Sequence, residues 1–472
     1  MRSNLILDTD SYKASHHLCC PPNMSSMFSY LESRGGVYKS TVFFGLQYLL
    51  REYLSQRITP ADVIEAEMFF KDHGEPFPTE SWNKVVNQYN GHIPVTIRAA
   101  KEGSVIPTHN ILMSVESATQ DPELAWMVSW IETMMMRLWY PITVATTSYE
   151  CKKTILKHLY KTSDDPWAEI DFKLHDFGGR GVSSRESAAI GGAAHLANFK
   201  GSDTVEGIRL ANLVYHSPMA AFSIPAAEHS TITSWGRDKE DEAYANMVGR
   251  FCKPGALVAC VSDSYDLYRV VEEVWGGKLH RQIAESGATL VVRPDSGDPA
   301  TVVVNTLDLL ARKVGKSMNK KGYYNLPPYF KVIQGDGVNI QSIDEILTKM
   351  ELNGWSGSNV AFGMGGALLQ KCDRDTQKFA YKCSSAVVDG KQRDVYKDPV
   401  TDPGKMSKRG PQDLILNERG EYQTVVRTSV TAAASQLHTV YDYHDRESCL
   451  VLSEDLDTIR TRINVALKQE LA

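Results

Sequence analysis

The sequence contains no long uninterrupted run of apolar residues. Its most hydrophobic stretch, Trp126 to Ala145, is broken by Glu132, Arg137 and Pro141. A membrane span needs about 20 apolar residues, so this stretch reads as packed helices. The N-terminus meets an acid, Asp8, before any apolar core has formed, so no secretory leader is expected. Cysteines at metal or disulfide spacing are missing too: the eight are scattered, Cys19 and Cys20 are adjacent, and no C-x-x-C occurs. That usage suits free thiols in a reducing cytoplasm. Basic residues are not in excess: 51 Lys and Arg against 57 Asp and Glu leave a net charge of −6. A nucleic-acid binder with a broad basic face is therefore not expected, although a local basic pocket is allowed. There is no low-complexity tail and no strict repeat. What remains is a chain of 472 residues with ordinary globular composition, enough for two or three domains.

The middle of the chain has a rhythm. Short runs rich in Val, Ile and Phe are each followed by a Gly/Asp/Ser turn and then by a helix-period segment. The runs are D-F-K-L (171–174), A-L-V-A-C-V (256–261), T-L-V-V-R (289–293), Y-F-K-V-I (329–333) and N-V-A-F (359–362). Weaker candidates lie in A-N-F-K-G-S-D-T and A-A-F-S-I-P, the latter carrying Ser223. Strands alternating with helices imply a parallel sheet. The expectation is an α/β protein with an irregular β/α barrel of about seven parallel strands over residues 161–379. Residues 1–160 and 380–472 show alternating strands and hairpin signals, and read as one discontinuous α+β domain. A single helix is expected over about 122–138, and others over 142–160 and near 455–468.

In such folds the loops after the strands carry function. Here they hold Asp176, Phe177 and Arg180; Asp203; Glu228 and His229; Asp263; Arg293 and Asp295; Gly335 and Asp336; and Gly363, Gly365 and Gly366. Glycines at strand-to-helix turns let backbone N–H groups reach a phosphate, and arginines pair with its oxygens. Each residue also has an ordinary explanation. Q-G-D-G and R-P-D-S-G are common turn sequences, Asp203 in G-S-D-T suits a helix N-cap, and Phe177 suits a core. In P-A-A-E-H-S-T-I-T-S-W-G, His229 is either a reactive imidazole or a histidine that begins a helix. The coincidence of so many phosphate-compatible loops at one end of successive strands favours a site.

Longer segments carry a resemblance. They include L-D-T-D-S-Y-K (7–13), F-F-G-L-Q-Y-L (43–49), H-D-F-G-G-R-G-V-S-S (175–184) and N-F-K-G-S-D-T (198–204). They continue with I-P-A-A-E-H-S-T-I-T-S-W-G (224–236), V-S-D-S-Y-D (261–266), R-P-D-S-G-D-P (293–299), Q-G-D-G-V (334–338), A-F-G-M-G-G (361–366) and Y-K-D-P-V-T-D-P-G-K (396–405). Together they resemble the nicotinamide phosphoribosyltransferases of the type II phosphoribosyltransferase group, over nearly the whole chain and most weakly after about residue 410.

The resemblance implies transfer of phosphoribosyl from 5-phosphoribosyl 1-pyrophosphate to nicotinamide, with Mg2+, in a cytoplasmic homodimer that shares its active site between subunits. It implies that Phe177 stacks one face of the pyridine ring and that Tyr12 of a second subunit covers the other. Arg293 and Arg180 would serve the ring and phosphates. Gly335, Asp336, Gly365, Gly366 and Arg374 would hold the ribose and 5′-phosphate, and Lys397 and Lys405 the phosphate channel. Asp295 and Asp263 are expected at the ribose or the magnesium–pyrophosphate, with no direct protein ligand of the metal assigned. Asp203, beside Ser223, would accept a hydrogen bond from the carboxamide and repel the carboxylate of nicotinate. His229 would be phosphorylated by ATP, with Glu228 orienting its ring. Gly179 stands where animal members carry a tyrosine, which opens the pocket mouth. The alternative is a sister enzyme acting on nicotinate.

Overall fold

The computed structural model describes residues 4–401, 406–443, 450 and 453–472. Two compact units emerge. The first comprises Met1–Thr146, Val214–His216 and Cys372–Ala466, and the second Thr147–Leu213, Ser217–Lys371 and Leu467–Ala472.

The first unit is built on a six-stranded antiparallel sheet. Its order is Lys391–Asp394, Phe379–Val388, Met24–Ser33, Ile111–Ser117, Val95–Ala99 and His438–Asp442. Met24–Ser33 pairs with Phe379–Val388 on one side and Ile111–Ser117 on the other, so segments distant in sequence share one sheet. The helix expected over 122–138 is instead two short ones, Met127–Trp130 and Glu132–Met136. The indoles of Trp82, Trp126 and Trp130 pack edge-to-face there, and Lys13 reaches in to Glu132 and Ser129. These contacts hold the chain where an unbroken helix would have run.

The second unit is the α/β part. Six parallel strands run in the order Gly201–Ser202, Leu174–Asp176, Val360–Met364, Phe330–Gln334, Thr289–Arg293 and Leu257–Val261. The two edges are joined by a seventh, irregular segment. Phe222 bridges Gly201 in parallel and Ala226 bridges Ala259, supported by hydrogen bonds from Ser202 N to Phe222 O and from Ala259 N to Pro225 O. The weak A-A-F-S-I-P signal is thus the closing stave of an irregular seven-membered barrel. The run D-F-K-L is displaced: Ile170–Phe172 forms a 3-10 turn and the strand begins at Leu174. Asp171 is held there by Lys152 and Lys200.

Period-two alternation then decides what faces the lumen. In Thr289–Arg293, Leu290 and Val292 pack outward while Val291 and Arg293 point in. Along the strand Leu174–Asp176 and its two flanking residues the inward set is Lys173, His175 and Phe177, from bottom to top. Between them the lumen is plugged by a thin core of Ala259, Val291 and Ile333, with Phe177, Ile224 and Ala361 packed on it. A barrel of about eight strands is normally filled by side chains in several layers. One thin layer leaves space above and below it.

Candidate active site

Above the plug, at the C-terminal ends of the strands, lies a cavity of about 340 Å³. Phe177, Arg180, Asp203, Ser223 and Arg293 line it, together with His175, Gly179, Thr204 and the apolar residues of the plug. Phe177 leaves its strand with its N–H donating to Met364 O (2.9 Å). Its ring lies over Gly363, where a Cβ would sit 1.9 Å from Phe177 Cε2. Only glycine fits under that ring. A Cβ on Gly335 would meet the other side of the cluster, 3.3 Å from Phe177 and 3.5 Å from both Arg293 and Asp295. The Arg293 guanidinium stands 5.7 Å from the Phe177 ring centroid, and its Nη2 donates to both oxygens of Asp295 at 2.9 Å. Arginine is thereby fixed as an oriented cation at the strand end.

Asp203 is not a helix cap. Thr204 precedes the helix Val205–Val214 and its carbonyl takes the first turn's N–H groups. The Asp203 carboxylate faces the cavity instead. Ser223 Oγ donates to its Oδ1, and His175 Nε2 lies 3.2 Å from the same oxygen, out of line for a full hydrogen bond. Among the described residues nothing donates to Oδ2, which leaves one acceptor free for a ligand. Burial alone would raise the carboxyl pKa. The contacts from His175 and Ser223, with the charges of His175 and Arg293, outweigh it and hold the group below the usual carboxylate range. Asp203 is therefore an anion.

Asp176, one residue before Phe177, points the opposite way, as strand alternation requires. Fully buried, it accepts from Gly178 N (2.7 Å) and Ser202 Oγ (3.4 Å) and shapes the turn that carries Phe177. Burial pushes its pKa up.

Arg293 and Asp295 link this cavity to a second cluster. His229 begins the short helix His229–Thr233, half-exposed, with Nδ1 3.2 Å from Ser264 Oγ. Its Nε2 faces two carboxylates, Asp295 at 3.4 Å and Asp263 at 3.7 Å. Asp263 Oδ2 accepts from Asp295 N (2.9 Å) and Ser296 Oγ (2.6 Å), while its buried Oδ1 has no hydrogen-bond partner. In this structure Glu228 turns to its own helix. Its carboxylate accepts from Ser230 Oγ and its N–H donates to Thr231 Oγ1, so it caps the helix start. Chain direction explains this: a residue at the N-cap turns its side chain toward its own helix. Ser264, Asp263 and Asp295 hold the imidazole instead.

Of the remaining expected residues, Asp336 is exposed and gives its carbonyl to Gln334 Nε2 (2.9 Å). Gly365 and Gly366 open the one-turn helix Gly366–Leu369. A Cβ on Gly179 would lie 3.0 Å from Thr204 Oγ1, so Thr204 is packed against the position that a larger residue would need. Three residues belong to the first unit. Tyr12 is 56 % exposed, its ring edge-on to His16. Arg374 is exposed, 3.4 Å from Asp375. Lys397 is pinned through its backbone to Ser407. Lys405 lies outside the described residues.

Sequence reasoning passed over three residues of this site: His175, Gly363 as the seat of Phe177, and Ser264. Alternation along 173–175–177 and 361–363 was the available signal for the first two. Ser264 sits in the S-D-S turn, and only folding brings it to His229. Among the described residues, no group of three His, Cys, Asp or Glu side chains could hold a metal ion. No described helix is long and apolar enough to cross a membrane.

The comparisons with known proteins agree with this geometry. A nicotinamide phosphoribosyltransferase of Xanthomonas campestris is 54% identical over 432 residues, covering 91% of this chain and 92% of that protein. One from Acinetobacter baylyi is 28% identical and covers 98% and 97%. Among solved structures, nicotinate-nucleotide pyrophosphorylase from Pyrococcus furiosus superposes with a TM-score of 0.61 at 13% identity, covering 99% of this chain and 97% of that one. Human nicotinic acid phosphoribosyltransferase gives 0.57 at 15%, covering 98% and 94%. At such identities these two speak for the fold alone. The model of the nicotinamide phosphoribosyltransferase N-terminal domain matches residues 4–97. The nicotinate phosphoribosyltransferase (NAPRTase) family model matches residues 172–445, a span that takes in the whole barrel and the cavity above its plug. With more than half of its length matched, and with a relative this similar end to end, the chain belongs to the nicotinate phosphoribosyltransferase family.

Proposed function

We propose that the protein transfers phosphoribosyl from 5-phosphoribosyl 1-pyrophosphate to the ring nitrogen of nicotinamide, giving nicotinamide mononucleotide and pyrophosphate in NAD salvage. The observation that carries this reading is the anionic Asp203 in the wall of a cavity that also holds Phe177 and Arg293. Nicotinamide already has a lone pair on its ring nitrogen, so the site needs no general base. It needs an aromatic surface to hold the ring, an acceptor for the amide N–H, and cations for the departing pyrophosphate. Phe177 supplies the first, Oδ2 of Asp203 the second, and Arg293 and the exposed Arg180 the third. A carboxylate base would face the Asp203 charge, which disfavours the nicotinate reading.

Gly335, Asp336, Gly365 and Gly366 offer backbone at the same strand ends for the ribose and 5′-phosphate. The phosphate-binding roles that the resemblance implies for Arg374, Lys397 and Lys405, and the role of the exposed Tyr12 toward a second subunit of a cytoplasmic homodimer, are part of this proposal. Bound magnesium would neutralise pyrophosphate charge. The unpartnered Oδ1 of Asp263 fits a cation carried in on the substrate. For His229, the γ-phosphoryl of ATP passes to an imidazole nitrogen and ADP leaves; the half-exposed ring and the absence of a competing Glu228 contact suit that role.

The test is a product assay with nicotinamide or nicotinate, the phosphoribosyl donor and magnesium, with and without ATP. The mononucleotide of nicotinamide should dominate, and ATP should raise its yield. Asp203→Asn should lower the preference for nicotinamide over nicotinate by about tenfold or more, since removing one repulsive contact is worth about 1.4 kcal/mol or more. Equal turnover of nicotinate by the unmodified enzyme would overturn the reading.

A further inference from the structure

The imidazole of His175 has no place in the phosphoribosyl transfer itself, yet it stands mostly buried in the lumen of the barrel. It lies midway up the inward row Lys173–His175–Phe177 and lines both the cavity above the plug and the larger one below. Its Nδ1 edge is packed against the chain at Gly201, where a Cβ would come within 2.7 Å. Its Nε2 edge faces Asp203 Oδ1 at 3.2 Å. Strand pairing with Gly363 and Gly201 fixes the backbone on both sides, so the ring has little room to turn away.

The contact with Asp203 is close but misaligned. A misaligned contact is a weak hydrogen bond, whereas charge attraction depends on distance rather than angle. The interaction therefore depends strongly on whether the ring carries a proton. Histidine is the side chain that ordinarily changes charge between pH 5 and 8.

We propose that His175 is a specificity-determining residue that sets the base preference of the pocket through its own charge. With the imidazole neutral, Asp203 confronts the ligand as a net anion and selects a carboxamide. With the imidazole protonated, the pair is neutral overall and the pocket admits a pyridine bearing a carboxylate. Base selectivity is thereby linked to pH within a single enzyme. This rests on the reading of Asp203 as the amide acceptor.

Other charged groups around His175 do not substitute for it. Asp176, next in the chain, is turned away to Gly178 and Ser202. Arg293 acts on Asp203 but is tied to Asp295. Arg180 stands exposed at the cavity rim. Below the plug, Lys173 is paired with Glu169, and Lys331 donates to Ser358 O. The segment Phe222–Ala226 presents only Ser223, which is uncharged. Of these groups, His175 is the one that lies against Asp203 Oδ1.

The experiment measures kcat/KM for nicotinamide and for nicotinate from pH 5.5 to 8.5, and takes their ratio. The ratio cancels whatever the two reactions share, including titration of His229 and of the donor's phosphates. The nicotinamide preference should fall by about tenfold or more toward pH 5.5, the scale of one lost charge repulsion. In His175→Gln, which keeps a donor but cannot become cationic, the ratio should be flat with pH and stay at the high-pH value. A flat ratio in the unmodified enzyme, or nicotinate turnover undetectable throughout, overturns the proposal without needing any variant. So does a His175→Gln enzyme that keeps the pH dependence. Asp203→Asn separates the two layers. If it leaves discrimination intact, the reading of Asp203 itself is wrong. If it abolishes discrimination while the unmodified ratio stays flat, only the role of His175 is lost.

Discussion

The two cavities of the barrel make an instructive pair. The one below the plug is the larger, about 650 Å³ against about 340 Å³, and more of its wall is hydrocarbon: Phe172, Phe222, Leu257, Val291 and Val360. The smaller one holds the oriented chemistry. Both arise from the same alternation of inward side chains along the same strands, and they share His175, Ser223, Ile224 and Ile333 at the waist. The difference lies in the segments joined to each end. After the C-terminal ends come the glycine and aspartate turns, which bring backbone N–H groups and charged side chains to the cavity. Before the N-terminal ends, the inward lysines are consumed by structure: Lys173 donates to Gly357 O and Val360 O and pairs with Glu169, and Lys331 donates to Ser358 O. Size alone favours the lower end; charge left available to a ligand favours the upper.

That contrast can be attacked experimentally. The largest effect is expected from Arg293→Ala, which removes the cation and strands Asp295. Loss of such an oriented electrostatic group costs on the order of a hundred- to a thousandfold in kcat/KM. A change under tenfold in steady-state assays would mean that the upper cavity is not where the reaction is stabilised.

Lys173 tests the other end. Burial pushes its pKa down from 10.5 to about 8, against the pull of Glu169. Between about pH 8 and the ordinary lysine range, the unfolded chain keeps a proton that the folded chain has released. Stability should therefore rise with pH across that window, by up to about 3 kcal/mol, and the gain is absent below pH 8. Thermal or denaturant unfolding at pH 8 and pH 10 should show the rise in the natural protein and not in Lys173→Met. Turnover of the folded variant at pH 8 should stay within about twofold, the scale expected of a group remote from the reacting atoms. A hundredfold loss there would erase the distinction between the two cavities.

Gly363→Ala should have a smaller effect and sharpens the boundary of the upper site. The added methyl must displace the Phe177 ring, an overpacking cost of about 1–3 kcal/mol. Part of it should appear as a roughly tenfold rise in KM for nicotinamide. An unchanged KM would mean that the Phe177 ring is not the surface on which the base rests.

Much of this was legible before folding was considered. The Val- and Ile-rich runs fixed the strands because short β-branched stretches bounded by Gly and Asp have few other uses. The polar turns after them named Phe177, Asp203, Arg293 and His229. Partners were not legible. Glu228 and His229 are neighbours in the chain, yet the carboxylate caps its own helix while Ser264, 35 residues on, meets the imidazole. The broken helix over 122–138 followed from indole packing that no local period reports.

The sequence by itself determined which residue types stand at each strand end and which face of each strand they occupy, because both depend on local order and a period of two. Tertiary structure alone decided which of them meet. The closing stave Phe222–Ala226, the glycine beneath Phe177 and the pairing of His175 with Asp203 join residues that no local rule connects. The curvature that closes the sheet brings them to the same few ångströms, and their charges acquire meaning only at that distance.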